Sequence, residues 1–260
     1  MPIFYWILIF TAVGGICSAL IASLFLLFSA ERRRLWLPHL LSFATGAQLG
    51  VAFLALYPEA SAEVGLHHQE LLGLLIVIGI MAFFMLEKWM RWHQHDDHAA
   101  AEGELDMAGG SLILIGDGVH NAIHGVLIAA SFLTSVELGL VITLAVMAHE
   151  IPLEVSDIAV LVGSGMSRLR AFVLNALVGL ATVVGGLIAY FALDETRAVL
   201  PYILTIAIAN LTYISLADLV PNMHKRTGPG EAFWQLGLIA LGVGVILIIE
   251  YGLSGLGTGY

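Results

Sequence analysis

Apolar runs of about 20 residues recur along this 260-residue chain, and no other feature constrains its fold as strongly. A helix rises 1.5 Å per residue, so a run of about 20 crosses the hydrocarbon core of a bilayer. The runs lie at about residues 3–29, 37–58, 70–90, 110–133, 138–163, 169–192, 198–220 and 232–252. In lipid every backbone N–H and C=O must be satisfied within its own segment, which leaves the helix as the spanning element for runs of this length. The expected fold is therefore all-α: a polytopic membrane protein of eight transmembrane helices forming one domain over residues 1–260. Composition agrees, with 59% hydrophobic and only 12% charged residues, against about 25% charged in soluble domains. The first run is long enough to span and has no basic segment before it, so it is expected as a span and not as a cleaved signal.

Charge sets the orientation. Arg32, Arg33 and Arg34 lie between runs one and two, Lys88 and Arg91 between three and four, Arg168 and Arg170 between five and six, and Lys225 and Arg226 between seven and eight. Only Arg197 falls in an even-numbered connection. Basic residues favour the cytoplasmic side, so the odd connections are expected inside and both termini outside, extracellular or periplasmic. The chain is then a multi-pass protein of the cell (inner) membrane, with the lipid bilayer as its first partner. Ten dispersed basic residues do not make a nucleic-acid surface. No phosphate-binding loop is present, so the chain is not expected to use ATP directly. The single cysteine, Cys17, allows neither an internal disulfide nor a cysteine-based metal site.

Against this background the stretch from Asp117 to Asp157 is costly. A central charge in a span costs roughly 2.5–3.5 kcal/mol on insertion scales. Yet run four carries Asp117, His120, Asn121 and His124, and run five carries His149, Glu150, Glu154 and Asp157. Residues four apart share a helix face, so His120 and His124 point one way and Glu150 and Glu154 continue as an acidic stripe towards Asp157. Imidazole with carboxylate suits a borderline divalent metal such as Zn²⁺, Fe²⁺, Mn²⁺, Co²⁺ or Ni²⁺. Pro152 removes a hydrogen bond in mid-run and is expected to kink it. The many glycines inside the runs are read as points where helices approach closely.

The motifs are specific. His120-Asn121-x-x-His124-Gly125 resembles the HNxxxG signature of the fourth helix of the ZIP (Zrt/Irt-like) divalent-metal transporters, read here as a prokaryotic member. His149-Glu150-Ile151-Pro152-x-Glu154-x-x-Asp157 resembles the HEIPxExGD signature of their fifth helix. Gly46-Ala47-Gln48-Leu49-Gly50 with Pro58-Glu59 resembles the second, and Tyr213 to Pro221 the end of the seventh. The resemblance implies import of a divalent cation, Zn²⁺ or a relative such as Cd²⁺, by a secondary transporter or facilitator and not an enzyme. The metal is then the transported substrate, and no prosthetic group is expected. It also implies helices one to three and six to eight as inverted halves around helices four and five, with a homodimer left open.

By the same resemblance, an inner site uses the first and fifth positions of each motif: His120, His124, His149 and Leu153. Leucine cannot bind metal. One main site is therefore expected from His120, His124, His149 and Glu150, with Gln48, Asn121 or Glu154 nearby. The resemblance also implies a second, adjacent site using Asn121 and Glu150; Ser156 stands for the usual glycine and Asn222 for a frequent glutamate, so that second position is expected to be altered. The polar connection at about 92–109 holds His93, His95 and His98 among acids; it is read as a solvated linker or a weak cytoplasmic metal acceptor. A metal sensor that does not transport, motivated by Leu153, is the runner-up. An intramembrane metalloenzyme is disfavoured, because HExxH would need histidine at 153.

Overall fold

The computed structural model describes residues 1–25, 27–65, 68–98, 107–163, 165–193, 197–224 and 228–257. Among these the chain is helical throughout, with α1 (Ile3–Ala12), α2 (Ser18–Phe25), α3 (Ala30–Gly50), α4 (Tyr57–Val64), α5 (Gln69–His98), α6 (Met107–Thr134), α7 (Val136–Gly163), α8 (Arg168–Leu193), α9 (Leu200–Ile214), α10 (Val220–His224) and α11 (Pro229–Gly257). Seven of the helical segments are long and apolar enough to cross a membrane, at Ile3–Leu24, Leu35–Val64, Gln69–Trp89, Val136–Val155, Arg168–Leu193, Leu200–Ala217 and Gly230–Gly252. α6, which carries four of the polar residues singled out above, is 28 residues long but falls outside this set.

Two expected boundaries move. α3 begins at Ala30, capped by the Ser29 hydroxyl accepting from the Arg32 N–H at 3.4 Å, so Arg32, Arg33 and Arg34 start a helix and do not form a loop. α5 continues to His98, so the expected connection at 92–109 is helical in its first part. Residues 99–106 lie outside the described residues. Pro152 lies inside α7, which stays α-helical on both sides of it, so the proline removes one hydrogen bond without ending the helix.

Wide π turns join several helices into longer spans: Val13–Cys17 between α1 and α2, Val51–Leu56 between α3 and α4, and Ser215–Leu219 between α9 and α10. In the last two the closing wide bonds run from the Tyr57 N–H to the Ala52 carbonyl and from the Val220 N–H to the Ser215 carbonyl, each immediately before a proline, Pro58 or Pro221, that has no N–H to donate.

α1–α2 packs with α6, α7 and α8, while α3–α4, α5, α9 and α11 pack with one another. The most extensive contact is α6 on α8, followed by α3 on α11. The outer pairings are α1–α2 with α8, α3–α4 with both α11 and α9, and α5 with α9. Exposed apolar rows such as Leu74, Val77, Ile78, Met81, Phe84 and Met85 on α5 mark the face towards lipid.

Small residues make the closest contacts possible, as the glycine content of the runs predicts. A Cβ on Gly125 would overlap the Thr182 carbonyl, and one on Gly185 the Ala122 carbonyl, so α6 and α8 meet backbone to backbone. Gly125→Val is expected to lower thermal stability in detergent by an amount typical of overpacking, about 1–3 kcal/mol. Gly73→Ala, where nothing lies within 4 Å, is expected to be neutral; the two unfolding midpoints measured side by side check this.

Candidate metal centre

One residue separates the two helices that carry the polar stretch. α6 ends at Thr134 and α7 starts at Val136. The Ser135 hydroxyl accepts from the Leu138 N–H at 3.1 Å and starts α7. Gly139 lies against the Phe132 ring, where any Cβ would overlap it, so the helices return closely antiparallel. His124 then lies about 17 Å from the turn and His149 about 21 Å, which brings them to a similar depth.

At that depth four side chains converge. Glu150 Oε1 lies 2.8 Å from His124 Nδ1, 3.1 Å from His120 Nε2 and 3.8 Å from His149 Nε2. His149 Nε2 is 3.2 Å from His124 Nε2. The three rings stand edge to face, with centroids 4.1, 4.7 and 6.0 Å apart. One ligand atom from each residue fits within 4.8 Å of all the others. A tetrahedral zinc with bonds near 2.0–2.1 Å has ligand atoms about 3.3 Å apart, and several of these spacings are already close to that edge.

Burial makes the arrangement demanding. His124 and His149 are fully buried and Glu150 is 1% exposed. A carboxylate taken so far from water requires partners, and here imidazoles supply them. His149 Nδ1 lies 2.9 Å from the Ala145 carbonyl, so Nδ1 carries the proton and Nε2 presents its lone pair to the cluster. The two Nε2 atoms at 3.2 Å can share a proton or an ion between them.

A family model described as ZIP zinc transporter matches residues 93–250. The chain belongs to the ZIP family. Among its relatives, zinc transporter ZIP13 of Pongo abelii is 34% identical over 233 residues, covering 82% of this chain and 67% of the relative. Zinc transporter ZIP13 of Homo sapiens is 31% identical, with 82% and 71% covered. Zinc transporter zipt-7.1 of Caenorhabditis briggsae is 28% identical, with 94% and 79% covered. These relatives are animal proteins, so they lend nothing to the prokaryotic reading. Membership makes this ZIP chain a multi-pass membrane protein of a metal-transport family, and transport, not enzymatic turnover, is what that family does.

The other expected residues are placed as follows. Asn121 is fully buried; its Nδ2 donates to Asp117 Oδ1 at 2.9 Å and to the Asp117 carbonyl at 3.2 Å, and its Oδ1 accepts from the Thr182 hydroxyl at 2.7 Å. Gln48 is fully buried, and its Oε1 accepts from Ser215 at 2.7 Å. Glu154 is 1% exposed, one turn beyond Glu150 and not among the four converging residues. Leu153 packs beside Leu41, Ala44, Ile214 and Leu219, which is why a leucine suits that position. The side chains of Asp157, His93, His95 and His98 lie outside the described residues. His39 lines a cavity of about 580 Å³ with Trp36, Glu231, Trp234 and Leu238, which contains none of the four converging residues. Thr182 carries no sequence signal, since it is a lone hydroxyl in an apolar span, and Ser215 lies in the Tyr213–Pro221 segment with nothing in the spacing to pair it with Gln48.

His124→Ala removes the ring in contact with both Glu150 and His149. Zn²⁺ affinity, measured by competition with a chromogenic chelator, is expected to fall by more than the roughly 10–100-fold typical of losing an outer partner. Glu154→Gln is expected to cost less.

Proposed function

We propose that this ZIP chain imports Zn²⁺, or a related divalent transition metal, across the cell membrane into the cytoplasm, through a site formed by His120, His124, His149 and Glu150. The observation that carries the proposal is the convergence of three imidazoles on one buried carboxylate oxygen. Three neutral nitrogens and one carboxylate make a donor set suited to zinc. With one negative charge, that set leaves a divalent ion only partly neutralised, which favours passage over permanent retention.

The chain contributes three things on this reading. α6 supplies His120 and His124. α7 supplies His149 and Glu150. The Ala145 carbonyl fixes the tautomer of His149. Protons compete with metal for the imidazoles, so an acidic side of the membrane weakens binding and a neutral one strengthens it. Gln48 and Glu154 flank the route, and Asp117 and Asp157 extend it along the same two helices. His93, His95 and His98 follow α5's lipid-spanning part and offer a weak acceptor on the cytoplasmic side.

Eight spans with both termini outside complete the reading. α6 supplies the fourth of these spans, 28 residues or about 42 Å long. It packs between α7 and α8, so its polar residues face protein. The alternation of basic residues supports inward transport, because an inside-negative potential of 100 mV favours entry by about 2.3 kcal/mol per elementary charge.

Proteoliposomes containing the protein and a zinc-sensitive dye are expected to accumulate Zn²⁺, faster with an inside-negative potassium diffusion potential. The His120→Ala, His149→Ala double variant should reduce the initial rate to that of empty liposomes. A double variant with wild-type flux would sink the proposed site, and tight binding with no flux in the wild type would favour the sensor reading.

A further inference from the structure

α3 and α11 touch backbone to backbone in mid-span and stand apart at their first turns. At Gly46 a Cβ would overlap the Ile239 carbonyl, and at Gly242 the Phe43 carbonyl. Nearer the start of both helices large side chains replace the glycines. There Trp36 and His39 of α3 and Glu231, Trp234 and Leu238 of α11 line a cavity of about 580 Å³. The apolar spans of these helices are Leu35–Val64 and Gly230–Gly252, so both tryptophans sit within the first turn or so of a span. That depth is the boundary between headgroups and hydrocarbon, where tryptophan is enriched. Both indoles are largely exposed, so the cavity opens towards the membrane. Its lining is ordered along two helix faces. Arg32, Trp36 and His39 are spaced by four and three on α3, and Glu231, Trp234 and Leu238 by three and four on α11. Arg32 is exposed, one turn nearer the surface than Trp36. From Trp234 an exposed apolar row continues at intervals of seven through Leu241 to Ile248.

We propose that the cavity between the first turns of α3 and α11 binds the headgroup of phosphatidylethanolamine, with the ammonium between the Trp36 and Trp234 indoles and Glu231, and the phosphate towards Arg32. Indole faces attract an ammonium group. A primary ammonium also has three N–H donors, which the Glu231 carboxylate and the His39 ring are able to accept. A choline headgroup has no N–H to give. A purely anionic headgroup would bring its charge against Glu231 and leave the indole faces without a cation. A zwitterion meets both signs: the carboxylate and the indoles take its positive end, and the arginine on the same face of α3 takes its phosphate. The volume lies within the roughly 300–1,000 Å³ of sites for small molecules. The apolar row from Trp234 to Ile248 offers an acyl chain a track along α11. A lipid seated there joins the second and last spans at the level where their backbones no longer touch. The site shares no residue with the metal centre.

The test uses the full-length protein, delipidated in detergent, and three dioleoyl lipids that differ only in carrying an ethanolamine, choline or glycerol headgroup. The ethanolamine lipid is expected to raise the unfolding midpoint by about 2–4 °C or more, and the other two by less. Glu231→Gln keeps the size of the side chain and removes its charge. It is expected to raise the ethanolamine-lipid concentration needed for half the shift roughly tenfold. Trp36→Ala combined with Trp234→Ala is expected to abolish the preference for ethanolamine. Equal shifts with all three lipids overturn the proposal, and so does an ethanolamine preference that survives these substitutions. Should the double tryptophan variant fail to fold, Glu231→Gln alone decides by the same titration. A shift that follows conversion of monomer to dimer in light scattering would give the cavity to a second copy of this chain, and overturns the lipid assignment as well.

Discussion

One carboxylate oxygen organises the middle of this molecule. Glu150 Oε1 lies where three imidazoles meet, in a place almost sealed from water. Burying such a group is tolerable only if its partners are fixed in advance. The elements around it fix them. Ser135 joins the two site helices through one residue, Ala145 orients one ring, and the glycine contacts with α8 hold α6 at its closest approach. Those elements hold the three rings and the carboxylate against one another.

The packing follows from the lack of a hydrophobic driving force between helices in lipid. Here small residues are concentrated where helices need to come close, on α6 against α8 and α3 against α11. Large apolar side chains are turned outwards on α5 and α11. Polar residues that are not part of the four-residue cluster still find partners across helices, as Gln48 does with Ser215 and Tyr213 with Glu87. Each of these links ties one span to another that is distant in sequence.

Much of this could be read from the chain before its structure. The span pattern is legible because hydrocarbon thickness fixes helix length. The site is legible because four ionisable residues in two consecutive spans have few other uses. The sequence does not show the ends of α3 and α5, because a polar residue at a membrane surface can continue a helix or leave it equally well. Arg32 and His93 both continue one. The hydroxyls of Thr182 and Ser215 are invisible for a different reason. Their roles depend on which helix lies opposite, and no periodicity within one span carries that information. Asn121 is instructive here: the motif marks it as important, but only the neighbouring helix shows which hydroxyl its amide oxygen accepts from.

The single-residue joint at Ser135 has a bearing on how such a chain can change through time. Each inserted or deleted residue there would turn α7 by about 100° and shift it by 1.5 Å, carrying His149 and Glu150 away from the α6 histidines together. Most surface connections in a protein absorb length variation without harm. This one cannot, because it sets the phase between the two halves of the four-residue cluster. Descendants of this sequence can therefore drift freely in the long polar connection before α6, while the joint after it stays fixed in length even where its residues are exchanged.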